Sequence, residues 1–168
     1  LTALEKLEII NKNSDNEYIC SKDSNHIVAK IRCSSKGYCF AVREKNKEVY
    51  GVLMMSHMAP VDVLVEEALK IESYGAEGVI IMDSAGAYLP KDVKERITYL
   101  CNNLKVRVGF HGHNNLGMAI ANSLIAAQSG ATILDACARG FGAGAGNAQL
   151  EVLVAVLEKE GFTTGVDL

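Results

Sequence analysis

His111-Gly112-His113 is the sharpest chemical signal in the chain. In an extended strand, residues i and i+2 project from the same face, so the two imidazoles can converge on one point. Neutral imidazole nitrogens suit a divalent transition ion, and a carboxylate as third ligand would leave positions open for substrate. The competing possibility is a pair of hydrogen-bonded histidines closing a strand. Asn114-Asn115 and a glycine-rich setting follow immediately, and with the strand-end position they favour a metal.

Asp83-Ser84 ends an earlier apolar run. Asp83 can ligate a metal or orient a ligand histidine, and Ser84 can hydrogen-bond a substrate oxygen. Equally, both can cap the short turn through Ala85-Gly86-Ala87. His57, within Leu53-Met54-Met55-Ser56-His57-Met58, either lines the same pocket or packs at its strand end, and its methionine neighbours read as core. The segment Arg139-Gly140-Phe141-Gly142-Ala143-Gly144-Ala145-Gly146-Asn147 precedes a helical pattern. Its small residues let backbone approach a ligand, and a helix amino terminus favours anionic groups. Gly140, Gly142 and Ala145 can be aligned with a dinucleotide fingerprint, but no second strand ending in an acidic residue follows. A loop admitting a carboxylate or phosphate is the better reading.

The elements that must position these residues recur about every 28 residues. Apolar runs at 49–55, 78–82, 106–110 and 132–136 are short and continuous rather than alternating, as in a parallel sheet covered on both faces. Helical patterns follow at 61–74, 91–103, 116–128 and 148–160. The first carries Leu64, Ala68 and Ile71 on one stripe and stops at Gly75; the second starts behind Pro90. Four βα units in succession predict an α/β fold with a parallel sheet. An open doubly wound sheet and part of a (β/α)8 barrel both satisfy that pattern. Chemistry at the carboxyl end of strand after strand (Ser56-His57, Asp83-Ser84, His111-Gly112-His113, Arg139) favours barrel units.

Composition sets the outer bounds. The chain has 168 residues, 49% of them hydrophobic and 22% charged, with a formal net charge of −3. That profile belongs to a folded globular chain and gives no electrostatic reason to expect a nucleic-acid or anionic-membrane partner. No run of about 18 apolar residues exists, and Glu5, Lys6 and Glu8 leave no room for a signal-peptide core. The odd number of cysteines lacks paired CxxC spacing, which suits free thiols in a reducing cytoplasm. Of fifteen glycines only Gly37 precedes residue 51. Residues 1–48 are therefore set apart as a polar N-terminal segment, with a short helix expected over 2–10, a strand over 26–33 and a surface or capping role for His26. Residues 49–168 form the partial barrel.

Five stretches carry a resemblance: Gly51-Val-Leu-Met-Met-Ser-His-Met58, Glu72-Ser-Tyr-Gly-Ala76, Met82-Asp-Ser-Ala-Gly-Ala87, Gly109-Phe-His-Gly-His-Asn-Asn-Leu116 and Gly142-Ala-Gly-Ala-Gly-Asn147. From about residue 41 to the end the chain resembles the 4-hydroxy-2-oxovalerate aldolase family, in the superfamily of metal-dependent pyruvate aldolases and HMG-CoA lyase. The resemblance implies a TIM-type barrel, of which this chain holds the last four βα units, and a divalent metal, usually Mn2+. It implies retro-aldol cleavage of 4-hydroxy-2-oxopentanoate to pyruvate and acetaldehyde, in cytoplasmic catabolism of aromatic hydrocarbons, commonly alongside an acylating acetaldehyde dehydrogenase. His111 and His113 match the family's metal ligands, and Ser84 matches a serine near the bound 2-oxo acid.

The family's Arg-Asp-Gly element, whose Asp is the third ligand and whose Arg stabilises the enolate, does not occur among the 168 residues. No catalytic acid, base or arginine is therefore assigned. The expectation is a truncated or rearranged member, weak or inactive alone. A second possibility is a non-catalytic half-barrel that closes its open strand edges by associating with itself or with a complementary fragment.

Overall fold

A computed structural model describes residues 48–167 in full, with the backbone of four short strands ahead of them. β1 (Ile10–Lys12) pairs antiparallel with β2 (Tyr18–Cys20), and β3 (Arg32–Ser34) with β4 (Gly37–Cys39). The helix expected over 2–10 lies outside the described residues up to Ile10, which opens β1 as strand. The strand expected over 26–33 likewise lies outside them until Arg32, where β3 begins. His26 lies outside them.

The four apolar runs become one parallel sheet, ordered β5 (Tyr50–Leu53), β6 (Gly78–Asp83), β7 (Arg107–Gly112) and β8 (Ile133–Asp135). Between and after them lie α1 (Val61–Ser73), α2 (Pro90–Asn103), α3 (Ala119–Gln128) and α4 (Leu150–Lys159). This is the α/β arrangement of successive barrel units. Among the described residues no helix is long and apolar enough to cross a membrane.

Register divides the sheet into two faces. Val79, Ile81, Val108 and Phe110 pack with Ala68 and Ile71 of α1 and with Val93, Ile97 and Leu100 of α2. Burying a side chain such as Ile81, Ile97 or Phe110 completely contributes about 1.5–3 kcal/mol. The opposite face is layered by the pairing itself. Tyr50, Gly78 and Arg107 align first, then Val52, Ile80, Gly109 and Ile133, and at the carboxyl end Met82, His111 and Asp135. Gly109 is required there, because a Cβ would lie 2.8 Å from Ile80 Cγ1 and 2.9 Å from Ile133 Cβ.

Two helices start later than periodicity suggests, for local reasons. Leu116 donates its N–H to Gly86 O at 3.2 Å, Gly117 turns at a φ of 70°, and Asn114 Oδ1 accepts the Ala119 N–H at 3.1 Å. The chain can enter α3 only after that cap. Ahead of α4, Ala148 N–H bonds Gly112 O at 3.1 Å, holding the backbone extended until Leu150. β5 also ends early: Met55 takes a left-handed φ of 55° and leads into a 3-10 turn over Ser56–Met58.

Candidate metal centre

His111 ends the interior layer of β7 and is 8% exposed. Its neighbour in register on β8 is Asp135, whose Oδ2 lies 2.7 Å from His111 Nδ1. Hydrogen bonding from His111 holds the Asp135 carboxyl below its ordinary value, against the opposing effect of partial burial. His113 follows on the same side. The two rings meet edge to face, with centroids 5.1 Å apart and planes at 65°. The strand thus brings the two rings together on one side.

His113 is held at both flanks. Its N–H donates to Asp83 O at 3.4 Å, and its backbone forms an isolated antiparallel bridge with Asn147. Asn147 is buried. Its Nδ2 donates to Phe141 O at 3.0 Å and to Cys137 Sγ at 3.2 Å, while its Oδ1 finds no donor among the described residues. Two adjacent imidazoles supply nitrogen donors of the kind that suit a divalent ion. Among the described residues, no group of three or more His, Cys, Asp or Glu side chains is placed to hold a metal. The donor set fits one side of a metal site.

Asp83 plays the structural part of its two possible roles. It is fully buried on the helix side of β6, and its two oxygens accept the N–H groups of Ala87 at 3.0 Å and Tyr88 at 2.9 Å. The strand-end carboxylate that faces a candidate ligand is Asp135. The sequence did carry that signal: an acidic residue closes the fourth apolar run as the histidines close the third. Assigning partners needed the register.

Ser84 stands at the carboxyl end of β6 and accepts the Met55 N–H on Oγ at 2.9 Å, leaving its own proton free to donate. His57 lies on the turn after β5, two strands from β7, with its Nδ1 buried and unpartnered among the described residues. Beneath these loops runs a buried polar chain that sequence inspection missed. Arg96 Nε donates to Tyr88 Oη, Tyr88 Oη to Ser56 Oγ, each at 2.9 Å, and Ser56 Oγ to Met82 O at 2.6 Å. Burial pushes the Tyr88 hydroxyl pKa up, so Tyr88 stays a donor. Ser56, Tyr88 and Arg96 are scattered in sequence, and no motif unites them.

The glycine segment is a wrapped loop. Gly140, Phe141, Gly146 and Asn147 donate their N–H groups to carbonyls within the 137–147 stretch, and Ala145 donates to Asn115 Oδ1 at 2.8 Å. The Gly140 and Ala145 N–H groups of the dinucleotide alignment are thus spent inside the fold, while those of Gly142, Ala143 and Gly144 take no acceptor among the described residues. Arg139 sits at a left-handed φ of 54°, its N–H bonded to Glu151 Oε2 at 3.0 Å.

Residues 3–168 match the family model described as HMGL-like. A 4-hydroxy-2-oxovalerate aldolase from Pectobacterium atrosepticum is 67% identical over 127 residues, 76% of this chain and 37% of that protein. The enzyme of the same name from Spirochaeta aurantia is 64% identical over 132 residues, 79% of this chain and 38% of that protein. The chain thus spans little more than a third of these relatives. Among solved structures, Bacillus subtilis HMG-CoA lyase superposes with a TM-score of 0.67 at 24% identity, covering 73% of this chain and 45% of that one. The carboxyl transferase domain of Rhizobium etli pyruvate carboxylase with pyruvate gives 0.60 at 21% identity, covering 68% of this chain and 21% of that one.

Proposed function

This chain belongs to the HMGL-like family, and we propose that it forms the metal-binding half of an aldolase that cleaves 4-hydroxy-2-oxopentanoate to pyruvate and acetaldehyde. The observation that carries this is the edge-to-face pair of His111 and His113 at the carboxyl end of β7, in the setting of 67% identity to an enzyme of that name. The two histidines would hold a divalent ion, Mn2+ by family resemblance. Bound there, the ion would supply Lewis-acid polarisation of the 2-oxo group as the carbon–carbon bond breaks.

The chain's own residues do the rest of what this half can do. The Ser84 hydroxyl donates a hydrogen bond to a substrate oxygen. Asn115 and Asn114 hold the two flanking loops closed around the histidines. Val52, Ile80 and Ile133 lie half-buried on the same face beneath them and give the site an apolar floor. A cytoplasmic location, an acylating acetaldehyde dehydrogenase as consumer of the aldehyde, and homo-oligomer formation accompany the proposal.

Calorimetric titration with manganese tests it. The chain is expected to bind, and His111→Ala and His113→Ala to lose binding; equal affinity in all three proteins removes the assignment. Ser84→Ala is expected to weaken pyruvate uptake by the manganese-loaded chain without changing manganese affinity. Pyruvate release by the 168 residues alone is expected to be weak, because no Arg-Asp-Gly element occurs among them.

A second reading is favoured by the sheet. β5 and β8 each have one hydrogen-bonded neighbour among the described residues, and Val52, Ile80, Met82 and Ile133 on the interior face are only half-buried. Such a half-barrel would associate with itself or with a complementary fragment. A stable monomer in light scattering would sink that reading.

A further inference from the structure

We infer that Asp135 is a positioning residue that fixes the tautomer and aim of His111, so that Nε2 is the nitrogen offered to a divalent cation. The inference rests on the metal reading above. A carboxylate oxygen can only accept, so in the neutral imidazole the 2.7 Å separation between His111 Nδ1 and Asp135 Oδ2 places the ring proton on Nδ1 and leaves the lone pair on Nε2.

Backbone pairing builds this contact. His111 and Asp135 are register partners on neighbouring parallel strands, so their side chains leave the same face at matching heights. The two differ in exposure: the His111 side chain is 10% exposed and that of Asp135 48%. The imidazole is thus packed in place, while the carboxylate stands half-exposed beside it. Among the described residues no carboxylate stands within ion-pair reach of His113. Of the two rings, His111 alone has a carboxylate holding its second nitrogen among the described residues.

Long-range proton–nitrogen NMR on the metal-free chain, with labelled histidine and at a pH where imidazoles are neutral, reads the tautomer directly. His111 is expected as the Nδ1–H form. In Asp135→Asn, which keeps the shape but can donate to Nδ1, it is expected to switch to Nε2–H, with His113 unchanged. Manganese affinity is expected to fall about 10–100-fold in Asp135→Asn and to recover partly in Asp135→Glu. An Nε2–H tautomer of His111 in the unmodified chain overturns the inference, as does equal manganese affinity before and after Asp135→Asn. The Nδ1–H form in a chain that takes up no manganese overturns the metal reading instead, leaving Asp135 as the residue that sets the tautomer.

Discussion

Asn115 and Ala145 are joined by a 2.8 Å hydrogen bond across 30 residues of sequence, the side-chain oxygen of one accepting the N–H of the other. The same amide donates from Nδ2 to Ala85 O at 2.9 Å. One side chain after β7 therefore fastens the turn after β6 and the glycine loop after β8. The loop is shaped around it, since a Cβ on Gly144 would collide with that amide. Asn115→Ala is expected to cost about 1–2 kcal/mol, as two partly solvated hydrogen bonds are lost. It should also speed amide exchange at residues 142–146. Unchanged exchange there would show that the loop holds itself.

Asp83 and Asp135 are separable by experiment. Removing the buried Asp83 carboxylate leaves the Ala87 and Tyr88 N–H groups unpaired, at about 1–3 kcal/mol for each. Asp83→Ala is thus expected to lower the urea midpoint severely and Asp83→Asn less so. Whatever remains folded should bind manganese as tightly as the parent. Lost manganese affinity at full stability would return Asp83 to the ligand role.

Gly109 tests the layering of the interior face. Gly109→Ala places a methyl against Ile80 and Ile133, whose β-branched side chains have few alternative rotamers. A cost of about 1–3 kcal/mol is expected from overpacking, measured by chemical denaturation. In an Ile80→Ala background the added cost of Gly109→Ala should be smaller, because Ile80 Cγ1, the nearest colliding atom, is then gone.

These sites differ in how much of them the sequence discloses. Strand runs and helical stripes are local and periodic, so Ile71 of α1 and Phe110 of β7 fall where pattern places them. The HxH spacing is local too, and convergence of the two rings follows from the period of a strand. Asp135 is different: its role depends on which residue of β7 it faces, and pairing register is a long-range property. The late start of α3 has a similar origin, because the Leu116 N–H bonds Gly86, 30 residues earlier, before the helix can begin. The glycine loop is similar, since glycine spacing says nothing about which of the loop's N–H groups are spent: those of Gly140 and Ala145 are.

Glu151 supplies a pH dependence with a definite sign. Its carboxylate accepts a backbone hydrogen bond from its own N–H and another from Arg139, which hold its pKa below the ordinary glutamate value. A lowered folded-state pKa means the unfolded chain binds more protons in the window between the two values, so stability rises with pH there. The contribution is complete above the unfolded value of about 4.3 and vanishes as pH falls through the lower folded one. Glu151→Gln removes the titration while keeping an acceptor. Urea unfolding between about pH 3 and pH 7 is therefore expected to show the two proteins converging at the acid end and the parent more stable above about pH 5. Parallel stability curves across the range would mean that Glu151 does not anchor the glycine loop to α4.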